Sequence, residues 1–239
     1  MNRRNFLAAT VYGVGWAASP VAIRAAQEAR TGGSRAGDVS KLVPPAGELI
    51  RVACAISKGT TEIDYVGPMA VFETWQRDPA SNRPAPKFKI FTVSTSRDPV
   101  DGRIPDYTFA TVPSPHVVIV PAQSGSPELV DWLRTVHTTA DVTMSVCVGA
   151  RHLALAGLLN GKPATTHHES IDQFAKQFPD VQWRRGVRFV ENDKISTGGG
   201  LTAGIDLALH IVERYFGRAA AQGVADHLEY DGKRWMLPA

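Results

Sequence analysis

Cysteine is scarce in this chain: 239 residues hold two, Cys54 and Cys147. Neither C-x-x-C nor H-x-x-x-H spacing occurs, so no metal site is expected. Cys54 lies in "IRVACAI", which reads as a buried strand, and Cys147 lies in a turn. A strand thiol and a turn thiol seldom meet disulfide geometry, so both are expected free, with Cys54 a small core residue. Long apolar runs are missing too. The stretch from Leu7 to Ala18 is short and rich in Gly and Ala, which excludes a stable membrane span. An excess of one charge is absent from the body of the chain. The formal net charge of +3 comes from Arg3, Arg4 and Arg24, with no acid among residues 1–25; the remainder balances 23 Lys+Arg against 23 Asp+Glu. A neutral body gives no electrostatic reason to expect nucleic acid as a partner.

What is present begins at the N-terminus. Paired arginines followed by Phe6-Leu7 and a moderately apolar stretch resemble a twin-arginine export signal, expected over residues 1–29. The resemblance implies the twin-arginine export machinery as a partner and the periplasm as the location. Ile23-Arg24-Ala25 would serve for cleavage, and an uncleaved signal would leave the chain membrane-anchored. Residues 30–48, rich in Gly, Ser and Pro, read as a flexible linker. Residues 49–239 show no internal repeat or compositional break and read as one domain.

That domain alternates strands with helices. "LIRVACAI", "FKIFTVS", "VVIVPA" and "VTMSV" are apolar along their whole length, as strands buried on both faces are. Between them lie "GPMAVFETWQR", expected to be helical after Pro68, and "SPELVDWLRTVHTT", opened by a Ser126-Pro127-Glu128 start signal. "GARHLALAGLLNG" reads as a helix closed by Asn160-Gly161, and "GVRFVENDKISTGG" as a hairpin-like pair. The expected fold is α/β, a single doubly wound, mostly parallel sheet with helices on both faces.

In such a sheet ligands sit at the carboxyl ends of the strands, where "TMSVCVGARHLAL" puts Cys147. Small residues Gly149 and Ala150 follow, and a helix starts at once. This is the pattern of a nucleophile elbow. A thiol at a helix start faces unpaired N–H groups, which favours the thiolate, and amides such as that of Val148 can steady developing negative charge. On this local pattern a buried structural thiol and a nucleophile remain equally open.

Four motifs in order, "EIDYVGPMAVFE", "VVIVPAQSG", "SVCVGA…ATTH" and "GGGLTAGIDLAL", resemble the ThiJ/PfpI superfamily, with its flavodoxin-like, class I glutamine-amidotransferase-like fold, and within it the isonitrile (isocyanide) hydratase-like branch. The resemblance implies that Cys147 is the nucleophile and Asp64 its acid, raised in pKa by the neighbouring thiolate, while Glu62 is solvated. It implies His167 as a dyad partner or pocket residue, no cofactor, a small-molecule substrate and a homodimer. Val148, Gly149, Ala122, Gln123 and His168 are the expected substrate-binding positions. Ala122 and Gln123 replace two glycines of the superfamily's turn, where positive φ would carry a steric cost and where Gln123 offers a side-chain amide. Val148 stands for a common Thr, and His168 for a common Trp. The glycines of "STGGGLTAGID" lack the context of a nucleotide loop and are expected to bring backbone close to the elbow helix, with Asp206 in a structural hydrogen bond. The implied reaction is hydration of an isonitrile to an N-substituted formamide. The alternatives are the same dyad acting on another small electrophile, and a non-enzymatic periplasmic small-molecule or redox sensor. Related domains are fused to helix-turn-helix regulators; no such segment is read in the sequence up to Ala239, so an enzyme is the expectation.

Overall fold

The structure is a computed structural model that describes residues 41–74, 76–77, 84–85 and 87–236. The expected export signal and the first part of the expected linker lie outside the described residues. Within the rest of that linker, Leu42 donates its N–H to the Arg214 carbonyl, and its side chain packs on the core.

In chain order the elements are β1 (Ile50–Ala55), α1 (Ile63–Glu73), β2 (Gln76–Arg77), β3 (Pro84–Ala85), β4 (Phe88–Ser94), β5 (Tyr107–Thr108), β6 (Val117–Val120), α2 (Pro127–Thr139), β7 (Val142–Ser145), α3 (Ala150–Leu155), β8 (Pro163–Ala164), α4 (Ile171–Gln177), β9 (Gln182–Trp183), β10 (Phe189–Asn192), β11 (Ile195–Gly198), α5 (Ala203–Phe216) and α6 (Arg218–His227). Seven strands form the main sheet in the order β10-β11-β7-β6-β1-β4-β5. All neighbours run parallel except the β10–β11 hairpin. The doubly wound expectation holds, and so does the hairpin.

Strand alternation divides the apolar residues between two layers. Val52, Cys54, Val117, Ile119, Val142 and Met144 face α1, α5 and α6. Ala53, Ala55, Val118 and Val120 face α2 and α3. Both faces are covered, so strand residues are apolar throughout. Leu207, Leu209 and Ile211 of α5 are fully buried, because α5 lies between the sheet and α6. Burying each such side chain contributes about 2 kcal/mol.

Two helix boundaries differ from expectation. α1 starts at Ile63, five residues before Pro68, with a tight first turn in which Asp64 and Tyr65 donate to the Thr61 and Glu62 carbonyls. α3 ends at Leu155 rather than near Asn160, and Gly157 follows at φ 76°.

β1 is flanked by β6 on one side and β4 on the other, so the chain's crossovers diverge there. The loops after β1, β6, β7 and β11 emerge at the carboxyl edge beside this switch point, where α/β sheets form their ligand crevice.

Candidate active site

Cys147 follows β7 after one residue, Val146, and has φ 58°, a left-handed conformation that costs a non-glycine residue about 1–2 kcal/mol. Its surroundings hold it there. The Cys147 N–H donates to the Gly199 carbonyl at 2.7 Å, and its carbonyl accepts from Thr166 Oγ1 at 2.8 Å. Val146 N–H donates to Val120 O at 3.0 Å. Gly149 allows the turn to close: a Cβ there would lie 2.1 Å from the Val120 carbonyl oxygen. Cys147 as a residue is 8% exposed, against 0% for Cys54. Both cysteines are free, as expected.

Asp64, in the first turn of α1, is fully buried. Its Oδ2 accepts the Ala122 N–H at 3.0 Å, and its Oδ1 has no hydrogen-bond partner among the described residues. Two further backbone bonds, Thr61 N–H to Ala122 O at 2.9 Å and Ser124 N–H to Lys58 O at 3.0 Å, join the loops after β1 and β6. The carboxyl is pushed up to about 6, chiefly by burial, while the Ala122 amide and the charge of His167 pull it down. The expected rise is present, but withdrawal from water leads it rather than a neighbouring thiolate.

The favoured thiolate needs correcting. Burial, then the charge of Asp64, push the Cys147 thiol above its ordinary value. The backbone N–H groups of Val148 and Leu201 donate to the sulfur and partly offset that rise. The helix start supplies what the motif promised, but the closed setting outweighs it. With the carboxyl at about 6 and the thiol raised, the proton rests on sulfur and the charge on Asp64, which is placed to influence it.

His167 lies close enough to influence Asp64 electrostatically and is packed against Gly200, where a Cβ would fall 2.5 Å from its Cδ2. His168 lies against it with its ring tilted, at 4.5 Å between centroids, and is largely exposed to solvent. Glu62 is also exposed and sits 3.8 Å from Arg103.

Neither Ala122 nor Gln123 adopts the positive φ that the glycine turn suggested; within "PAQSG" only Gly125 does, at 71°. The Gln123 amide donates to the Ala55 carbonyl at 2.9 Å, tying the turn to the end of β1. Beneath the turn His152, 2% exposed, contacts the Gln123 carbonyl through Nε2 at 3.1 Å. Burial holds this imidazole below its ordinary value, so it is neutral, and a carbonyl partner fixes the proton on Nε2. Gly125 fits over it: a Cβ would fall 2.2 Å from His152 Cε1.

The "STGGG" glycines approach the elbow residue itself. Gly199 supplies the carbonyl for Cys147, and a Cβ on Gly198 would meet Ser145 O at 3.2 Å. Leu201 follows at φ 51°, and its amide is among the groups that hold the thiol's rise in check. Sequence reasoning missed Leu201 because the group that acts is a backbone N–H. The glycine run beside the elbow was the available signal. Asp206 accepts from Arg188 and Tyr230, the expected structural role. Among the described residues no cluster of His, Cys, Asp and Glu is arranged for a metal ion, and no helix is long and apolar enough to cross a membrane.

A doubly wound sheet with a cysteine on a left-handed elbow at its carboxyl edge defines the class I glutamine-amidotransferase-like α/β proteins. Within that class the DJ-1/PfpI family model matches residues 50–214, and the chain belongs to this family. It is 36% identical to isonitrile hydratase of Pseudomonas putida over 135 residues, 53% of this chain and 57% of that protein. It is 33% identical to the HTH-type transcriptional regulator CdhR of Pseudomonas aeruginosa over 106 residues, 44% of this chain and 31% of the regulator. The matches thus span little more than half of the first relative and under a third of the second. Among solved structures, a ThiJ/PfpI family protein from Pseudomonas syringae superposes with a TM-score of 0.65 at 28% identity, covering 84% of this chain and 82% of that one. Drosophila melanogaster DJ-1beta shares the fold, with a TM-score of 0.63 at 19% identity, over 77% of this chain and 100% of that one.

Proposed function

We propose that the protein hydrates an isonitrile, R–N≡C, to the N-substituted formamide, with Cys147 as nucleophile and Asp64 as the proton carrier. The observation that carries this reading is the buried Asp64 carboxyl, held at about 6 beside an elbow thiol. An isonitrile carbon must gain both a nucleophile and a proton, and a thiol–carboxyl pair sharing one proton offers both. The similarity to the Pseudomonas putida hydratase supports the choice of substrate class.

The steps balance. The Cys147 thiol passes its proton to the Asp64 carboxylate, and the sulfur, now a thiolate, bonds to the terminal carbon while Asp64 delivers that proton to the same carbon, giving the thioimidate R–N=CH–S. Asp64, now a carboxylate, takes a proton from water as its oxygen adds to carbon, and passes that proton to nitrogen. The remaining hydroxyl proton returns to Asp64 as the C–S bond breaks, releasing R–NH–CHO, and passes back to sulfur to restore the starting pair. The Val148 and Leu201 amides favour the sulfur when it carries charge, at the start and the end of the cycle. His167 biases Asp64 through its charge.

A second reading, ligand binding or redox sensing without turnover, draws support from the similarity to a transcriptional regulator. The twin-arginine motif supports a further part of the proposal, delivery of the folded domain to the periplasm. A turnover assay separates the two readings. The full chain is given an alkyl isonitrile, and formamide is followed by mass spectrometry, with Cys147→Ala as control. Cysteine-dependent formamide is the expected result. Absence of product while Cys147 is still alkylated overturns the hydratase reading in favour of binding or another electrophile.

A further inference from the structure

The segment that takes the Cys147 N–H on its Gly199 carbonyl runs on through Leu201 at φ 51°, a conformation that an L-residue disfavours. Something must hold residues 199–202 in place, and the surrounding bonds show what does. Arg188, immediately before β10, grips the segment at both ends. Its carbonyl accepts the Gly199 N–H at 2.8 Å, and its Nη2 donates to Thr202 Oγ1 at 3.1 Å. Its Nε donates to Asp206 Oδ2 at 2.6 Å, and Asp206, 1% exposed, accepts from Tyr230 through its other oxygen at 3.0 Å. Both oxygens of the buried carboxylate are therefore engaged, which fixes the guanidinium fork in one orientation. Between these grips lie the Gly199 carbonyl, which receives the Cys147 N–H, and the Leu201 amide.

We infer that Arg188, locked by Asp206 and Tyr230, is a positioning residue that holds the Gly199–Thr202 segment, whose Gly199 carbonyl takes the Cys147 N–H, and thereby fixes the elbow and sets how readily its thiol reacts. The inference rests on Cys147 being the reactive group, but not on which substrate it meets. An arginine serves here because two N–H groups must reach Thr202 and Asp206 from one rigid plane. A lysine ammonium can satisfy Asp206 but lacks that fork. The sulfur also feels Asp64, and Asp64 in turn feels His167. Those groups stay unchanged in every variant below, so a change in the profile reports on the segment.

The test is the rate of Cys147 alkylation by iodoacetamide from pH 5 to 10, alongside thermal melting, on the full chain and its variants. Cys54 is fully buried, and Cys147→Ala gives the background. Arg188→Met is expected to move the midpoint of the profile to higher pH and to slow labelling at neutral pH by about threefold to tenfold, the size of one lost ordinary hydrogen bond. Arg188→Lys recovers part of the rate. Should Arg188→Met fail to fold, Thr202→Val at the exposed end of the grip gives a smaller shift in the same direction, and Thr202→Ser matches the parent. Arg188→Met and Thr202→Val melting lower while keeping the parent's labelling profile would overturn the inference and leave Arg188 a purely structural residue. Because labelling needs no isonitrile, this result stands apart from success or failure of the turnover assay.

Discussion

Asp64 and Glu191 are both carboxylates drawn away from water on the layer that carries α1 and α5, yet they end with opposite acidities. Glu191, on β10, is met by His210 Nε2 and by Arg214 Nε at 3.3 Å. His210 is fully buried and Arg214 nearly so. Burial alone pushes Glu191 up, but the His210 hydrogen bond and the charges of His210 and Arg214 outweigh it, and the group lies below its ordinary value. Asp64 receives one amide bond and keeps one oxygen free, so burial wins and the group rises to about 6. The elbow shows the same unbalanced design in its backbone, with Cys147 and Leu201 both at positive φ. Saturated partners make a buried carboxylate a fixed charge, and withheld partners make it a proton carrier.

The largest effect should come from breaking the saturated region. Arg214→Met removes a charge partner from Glu191 inside the protein and is expected to cost about 3 kcal/mol in urea unfolding. A loss under 1 kcal/mol would show that Glu191 is held by His210 alone and would weaken the contrast.

Next comes pH. A carboxyl raised in the folded state gives a stability contribution that is complete below its unfolded value, near 4, and is lost as pH rises to about 6. Asp64 should therefore cost roughly 2 kcal/mol across that window after allowing for solvent screening. Asp64→Asn should remove that loss and abolish the proposed turnover. Glu191 has the reverse sign, its contribution present at neutral pH and lost as pH falls through its depressed folded value. Glu191→Gln should flatten the acid side instead. Urea midpoints from about pH 2 to pH 7 check both, and parallel curves for the two variants would erase the distinction.

Smaller still is the backbone strain. Cys147→Gly should be more stable than Cys147→Ala by about 1 kcal/mol, since only glycine accepts φ 58° without a Cβ conflict. Equal melting temperatures would mean that the elbow relaxes once the thiol is gone. The smallest expected loss is Thr166→Val, which deletes the hydroxyl bond to the Cys147 carbonyl, at about 1 kcal/mol or less.

Much of this was readable beforehand. Continuous apolar strands announced a sheet covered on both faces, because that signal is a side-chain pattern at short range. That Asp64, Cys147 and His167 share one neighbourhood was implied by the family resemblance of the ordered motifs, not by any local pattern. What stayed hidden depends on distance or on backbone. The Glu191–His210–Arg214 cluster pairs a strand with a helix some twenty residues on, and no local pattern marks it. Pro68 suggested a helix start, yet α1 forms five residues earlier because its first turn closes on the Thr61 and Glu62 carbonyls. The direction of the Cys147 shift needed the depth of the site, which residue types do not record.

His152 gives the fold a remote control. Its ring presses on the "PAQSG" turn from the α3 side, and that turn carries the amide on which Asp64 rests. A protein engineer who wanted a more acidic or more basic Asp64 need not intrude on the crevice. Recutting the imidazole and the glycine above it would tilt the turn, and the proton affinity of a group on the opposite layer would follow.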